Sequence, residues 1–225
     1  LNTRAQLSFI ACLLVSFGSV ARAGVYPLEG CNPDGEAYSG ELEVREHSPG
    51  LLRLGWLFGG RELLWAWAAP FADDLLGAVV VDGDEVLVEV FRVADAGLAG
   101  LWSDGLAHGF EEVGEPPEPP AALDLEGNRV YRFTRQAADG FPVTGEVTLS
   151  AVPDAAPGIA RVRWEFAGET AEHIGEALRV EGGLAAVFRT NAGPGLVCLE
   201  TDGADWSGVW FVTGMEKPLP VEWRR

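Results

Sequence analysis

The sequence is poor in several features that would announce a function. It has three cysteines and 16 basic residues against 34 acidic ones, for a net charge of −18 over 225 residues. Lysine is nearly absent, with Lys217 alone beside fifteen arginines, a bias of GC-rich coding. An acidic surface repels phosphate backbones and anionic lipid, which argues against nucleic acid and membrane-surface partners. Catalytic signatures are missing too. No Gly-x-Ser-x-Gly elbow, Walker loop or dinucleotide fingerprint occurs. Histidine is scarce: His47 and His108 sit beside turn residues, and His173-x-x-Glu176 offers two groups where a zinc site needs more. Asp82-Gly-Asp84-Glu85 carries hard oxygens but lacks a calcium-loop pattern, and reads as an acidic hairpin turn. Carboxylates are plentiful, yet nothing selects a pair for glycosidic chemistry. No catalytic residue, metal ligand or cofactor is therefore assigned.

Long apolar runs are missing after the first 23 residues, so no membrane span is expected there. Those first residues form a distinct segment. Arg4 precedes an apolar stretch over Leu7–Val20, which ends in Ala21-Arg22-Ala23, the small-x-small pattern of a signal-peptidase site. The expectation is a signal peptide over 1–23, cleavage before Gly24, and a secreted or periplasmic product. Removing 23 of the 225 residues leaves 202, and the loss of Arg4 and Arg22 takes the net charge to −20. Cys31 and Cys198 remain, in a compartment that permits a disulfide. They stand at non-equivalent positions, so either a bond special to this protein or two separate thiols is compatible with the sequence.

What the chain does contain is itself twice. Val25-Tyr26 recurs as Val130-Tyr131, Asp34-Gly35 as Asp139-Gly140 and Gly40-Glu41 as Gly145-Glu146, all offset by 105. Pro49-Gly50 then matches Pro157-Gly158, Trp56 matches Trp164 and Trp102 matches Trp210, all offset by 108. The change is a three-residue insertion around Val152–Ala156. Between the copies, the run Glu111–Pro120 is rich in proline and glutamate and reads as an extended linker. The units are then 24–110 and 125–225, joined by 111–124.

Within each copy the hydrophobic period is two. Leu52, Leu54, Trp56 and Phe58 share one face, as do Ala160, Val162, Trp164 and Phe166. Leu42 and Val44, and Val147 and Leu149, repeat the pattern in the preceding strands. Asn32-Pro-Asp-Gly35, Ser48-Pro-Gly50, Asp82-Gly83, Asp104-Gly105 and Asp202-Gly203 supply tight turns. Residues 169–180 favour helix locally, but the repeat assigns them to a turn and a strand. The fold expected is all-β: two tandem antiparallel barrel or sandwich units. An alternative is that the two repeats pair into one larger barrel.

Asn32-Pro-Asp-Gly-Glu-Ala-Tyr-Ser-Gly40, the inward Trp56, Gly97-Leu-Ala-Gly-Leu-Trp102 and Gly109-Phe-Glu-Glu112 together resemble a small bacterial and cyanobacterial β-barrel unit known as fibronectin-binding-like. Its architecture is similar to avidin and lipocalin barrels. Copy two departs from it, with Ala137-Ala138 in place of Asn-Pro. The resemblance implies a calycin-like binding module with no catalytic residues to carry over.

Two sets of tryptophans are the candidate sites. Trp56, Trp102, Trp164 and Trp210 either fill the cores or line a cavity. Trp65 and Trp67 share one face of a strand in copy one, where ungapped alignment sets His173 and Gly175 opposite them in copy two. They either bind a ligand or partner, or pack between the units. The function expected is non-enzymatic binding of a small molecule, a glycan or an extracellular protein. The alternative is an extracellular enzyme or enzyme inhibitor with its site between the units.

Overall fold

The computed structural model describes residues 23–225, apart from 126, 138–139, 169–171 and 202–204. All of the expected 1–23 leader but Ala23, and the turns at Asp139 and Asp202-Gly203, lie outside the described residues. The described residues form no helix and two closed antiparallel barrels of eight strands each. Barrel one comprises β1 (Gly24–Cys31), β2 (Ala37–Ser48), β3 (Leu51–Phe58), β4 (Arg61–Phe71), β5 (Leu75–Asp82), β6 (Glu85–Ala94), β7 (Gly97–Ser103) and β8 (His108–Gly114). Barrel two comprises β9 (Arg129–Gln136), β10 (Pro142–Ala151), β11 (Ile159–Phe166), β12 (Glu172–Val180), β13 (Gly183–Thr190), β14 (Gly193–Thr201), β15 (Trp206–Val212) and β16 (Leu219–Arg224).

Each barrel closes on itself. Leu28 of β1 pairs with Val113 of β8, and Phe133 of β9 with Trp223 of β16. Each copy thus satisfies its own sheet edges, and the single larger barrel is excluded. The alternation read in the sequence becomes an in/out pattern. Leu42, Val44, Leu52, Leu54 and Trp56 are buried together inside barrel one. Val147, Leu149, Ala160, Val162 and Trp164 are buried together inside barrel two.

One boundary and one register differ from the sequence reading. Residues 111–114 are not linker but the end of β8, and they close barrel one against β1. A run of two glutamates before a proline pair looks solvated by composition, yet its register puts Glu111 and Val113 inward. The rest of the connection is also held: Leu123 N–H donates to the Arg179 carbonyl, and Glu181 N–H to that of Ala121.

The second correction concerns register. Trp164 pairs with His173, whereas Trp56 pairs with Leu64, so β4 and β12 are offset by 109, not 108. The offset returns to 108 by β5, because Ala66 pairs with Val80 and Gly175 with Phe188. Unequal turns and the register shift between Trp56 and Leu57 in the β3–β4 pairing offset one another and escape an ungapped comparison. The counterparts of Trp65 and Trp67 are therefore Ile174 and Glu176, not His173 and Gly175. The slip matters because one residue turns a strand inside out: Trp65 and Ile174 face outward, while His173 meets Phe166 inside barrel two.

The barrels touch through the outer faces of β4–β6 and β12–β15. Leu75 and Val79 of β5 face outward into this contact while Leu76, Ala78 and Val80 face barrel one's interior. Ala185, Val187 and Cys198 do the same from barrel two. A strand apolar on both faces is the mark of burial on both sides. Gly77 marks a close approach, since a side chain there would collide with the Cys198 sulfur and the Ala185 methyl group. Both Cys31 and Cys198 are free thiols.

Candidate functional site

Every second residue of the strands points into its barrel, so substitutions between equivalent inward positions decide what each barrel holds. The cross-strand pairs identify the equivalences. Gly100 pairs with Glu111, and its counterpart Gly208 pairs with Val221. Trp102 pairs with Glu89, and its counterpart Trp210 with Val197. Gly30 pairs with Tyr38, and Arg135 with Val143. Barrel one thus carries two glutamates and a tyrosine where barrel two carries three valines. Barrel two carries an arginine where barrel one has glycine.

These exchanges leave the two interiors differently filled. Barrel two contains Trp206, Trp223 and Phe188, whose equivalents in barrel one are Leu98, Val113 and Val80. The Phe188 ring lies over Gly195, which stands where barrel one has Leu87. The Arg135 guanidinium sits 4.7 Å from the centre of the Phe166 ring and 3.8 Å from that of Trp210. What remains is a void of about 20 Å³. Barrel one instead encloses a cavity of about 360 Å³, within the range of small-ligand pockets. Its walls include Tyr38, Trp56, Phe58, Trp102, Glu89 and Glu111. Asn32 and Asp82 also line it, which places the mouth at the end of the barrel carrying the β1–β2, β3–β4, β5–β6 and β7–β8 turns.

The two glutamates are the unusual feature. Glu89 is 1% exposed and Glu111 4%, and neither has a basic partner among the described residues. Glu111 is held by three donor bonds. The Tyr38 hydroxyl donates to Oε1 at 2.6 Å, and the Trp56 indole N–H is shared between Oε1 at 2.9 Å and Oε2 at 2.8 Å. Burial raises its pKa to about 7, and the bonds from Tyr38, Trp56 and Glu89 hold it from going higher. Burial and then the nearby Glu111 charge push Glu89 well above the usual carboxylate range, so Glu89 keeps its proton and shares it with Glu111. The Tyr38 phenol is driven up by burial and by Glu111, and stays protonated. Apart from the proton shared with Glu111, Glu89 Oε1 has no hydrogen-bond partner among the described residues. It sits over Gly100, where a side chain would crowd it.

Trp56 and Trp102 line this cavity, and Trp164 and Trp210 line the filled interior of barrel two. Trp65 and Trp67 lie elsewhere, half-buried on the outer face of β4 with their rings edge to face at 6.3 Å. Trp67 packs on the apolar contact between the barrels and against His47 at 4.5 Å. Sequence reasoning passed over Glu89, Glu111 and Tyr38. A signal existed for Glu89: in Leu87-Val-Glu89-Val-Phe91 the alternation puts a carboxylate on the core face between leucine and phenylalanine. Glu111 was hidden by its proline-rich neighbourhood.

No protein-family model matches the sequence, and no curated protein matches it. Two solved structures align over most of its length. One is a protein of unknown function from the DUF3598 family of Nostoc punctiforme PCC 73102, 14% identical over 89% of this chain and 94% of that chain, with a TM-score of 0.27. The other is the agglutinin of Burkholderia oklahomensis, 9% identical over 89% of this chain and 94% of that chain, with a TM-score of 0.20. Likeness this distant assigns the chain neither a family nor a ligand.

Proposed function

We propose that this protein is an exported, non-enzymatic binding module that encloses one small molecule in barrel one and uses barrel two as a filled support. The contrast in filling carries the reading: about 360 Å³ remains open in one barrel and about 20 Å³ in its duplicate. Large aromatic residues and an arginine close barrel two at the positions that stay small in barrel one. The mouth loops of barrel one leave a route in. Cleavage before Gly24 would leave the first residue of β1 as the new terminus. Intact-mass measurement of the secreted chain tests the export step, and retention of 1–23 in a soluble product would refute it.

A hydrolytic alternative fits the geometry less well. A glycosidase needs its two carboxylates roughly 5–9.5 Å apart to flank the scissile bond. Glu89 and Glu111 instead share one hydrogen bond.

The test of binding is to fill barrel one as barrel two is filled. Val80→Phe with Leu87→Gly transplants the Phe188 and Gly195 pair. Binding of 2-phenylethanol, read by quenching of Trp56 and Trp102 fluorescence, is expected in the parent and lost in this variant at an unchanged melting temperature. Equal binding by both proteins would show that the cavity is not the site.

A further inference from the structure

We propose that the ligand of barrel one is an organic cation with an apolar body, seated between Phe58 and Trp102 and paired with Glu89 and Glu111. The proposal rests on the cavity reading above and names the class of molecule it takes. The interiors of the two copies differ by an exchange of charge. Barrel two brings its own cation: Arg135 projects between Phe166 and Trp210, and valines replace both glutamates. In barrel one the residue at the arginine's place is Gly30, the ring positions are Phe58 and Trp102, and two buried carboxylates stand beside them. Barrel two carries a cation inside and valines in place of the two glutamates, whereas barrel one carries the two buried acids with no cation beside them among the described residues. Aromatic faces attract a desolvated cation, and a buried carboxylate favours one still more.

The carboxylates agree. Glu111 is already held by Tyr38 and Trp56, whereas Glu89 is buried, lines the cavity and has only Glu111 as a partner. A ligand N–H would satisfy it. The rim is acidic, with Asp34, Glu36, Asp82, Asp84 and Asp104 in the turns around the mouth, which draws cations inward. A bare metal ion is a poorer occupant. Calcium takes about six to eight oxygens, and aromatic and aliphatic residues make up most of the wall.

Binding has a proton consequence. Glu89 is protonated in the empty barrel; on arrival of the cation its O–H bond breaks, the proton leaves to solvent, and the carboxylate pairs with the ligand. The other titratable groups facing the pair are the Tyr38 phenol from β2 and, nearer the mouth, Asp82 from β5. β1, β3, β4 and β7 face it with glycine, tryptophan and leucine.

The experiment is calorimetric titration of the full mature chain at pH 7 with phenethylammonium, 2-phenylethanol and 3-phenylpropionate. The expected order is cation, then neutral, then anion, with the cation tighter than the alcohol by about tenfold or more. Glu89→Gln with Glu111→Gln should bring the cation to the alcohol's level without lowering the melting temperature. Gly30→Arg with Tyr38→Val, which supplies the internal cation, should abolish cation binding. Repeating the titration in buffers of different ionisation heat should show proton release. If the alcohol binds as tightly as the cation, the ligand class is wrong and the cavity reading stands. If calcium chloride displaces phenethylammonium at equal concentration, the site is a metal site and the proposal fails. If none of the three compounds binds, the cavity reading fails and takes the ligand class with it.

Discussion

Glu111 and Val221 occupy the same place in the two barrels, each directly across the sheet from an equivalent glycine, Gly100 or Gly208. Together with the exchanges of Glu89 for Val197 and Tyr38 for Val143, this one separates a barrel with a buried acid network from one filled by aromatic rings and Arg135. Because Glu111 and Glu89 are protonated more readily in the fold than in the unfolded chain, the native state binds more protons above pH 4.5, and stability declines as pH rises. For Glu111 the decline runs from about 4.5 to about 7, and for Glu89 it extends further upward. The slope is about 1.4 kcal/mol per pH unit for each proton. Urea unfolding between pH 4.5 and 8 should show this slope, and Glu89→Gln with Glu111→Gln should flatten it. An unchanged slope in the double variant would show that surface charge is the cause.

Trp56 is 1% exposed and donates to Glu111, so its removal opens a cavity and strips the carboxylate of a donor. Trp56→Ala should cost about 3–5 kcal/mol in denaturant unfolding. Trp56→Phe keeps most of the volume and loses only the donor. It should cost less and raise the pKa of Glu111, visible by carboxyl-selective NMR.

Trp67 belongs to the contact between barrels, whereas Trp65 stands beside it on the same face. Trp67→Ala should lower the melting temperature and loosen the barrels, so that relaxation measurements report faster, separate tumbling. Cation binding in barrel one should survive, since Trp67 does not line the cavity. Loss of binding at an unchanged melting temperature would instead make the outer face of β4 the site.

Gly77 is a point of close contact between the two barrels. Gly77→Ala should cost about 1–3 kcal/mol, as overpacked cores do, and Cys198→Ala in the same chain should recover part of it. A double-mutant cycle measures the coupling, and additive effects would mean that the contact is not made. Burial drives the Cys198 thiol well above its ordinary pKa, so a thiol reagent should modify Cys31 in the folded protein and spare Cys198.

The duplication, the strand period and the inward set from Leu42 to Trp56 were legible in the sequence because they are local. Side-chain alternation has a fixed period, and two copies with the same pattern confirm one another's register. That each copy closes into its own barrel was not local. It depends on whether β1 meets β8, a pairing between residues about eighty apart, such as Leu28 with Val113. The strand that makes this closure carries Glu111, in a stretch whose composition reads as linker.

The sequence by itself determined that there are two β-units and which face of most strands is apolar. Tertiary structure decided which polar residues lie on those apolar faces and what surrounds them. A glutamate in a chain of 34 acidic residues is unremarked until a closing sheet takes it out of water. Glu89 and Glu111 become a site only because barrel closure brings strands six and eight to one interior. There a neighbouring glycine leaves them room, and no internal cation answers their charge.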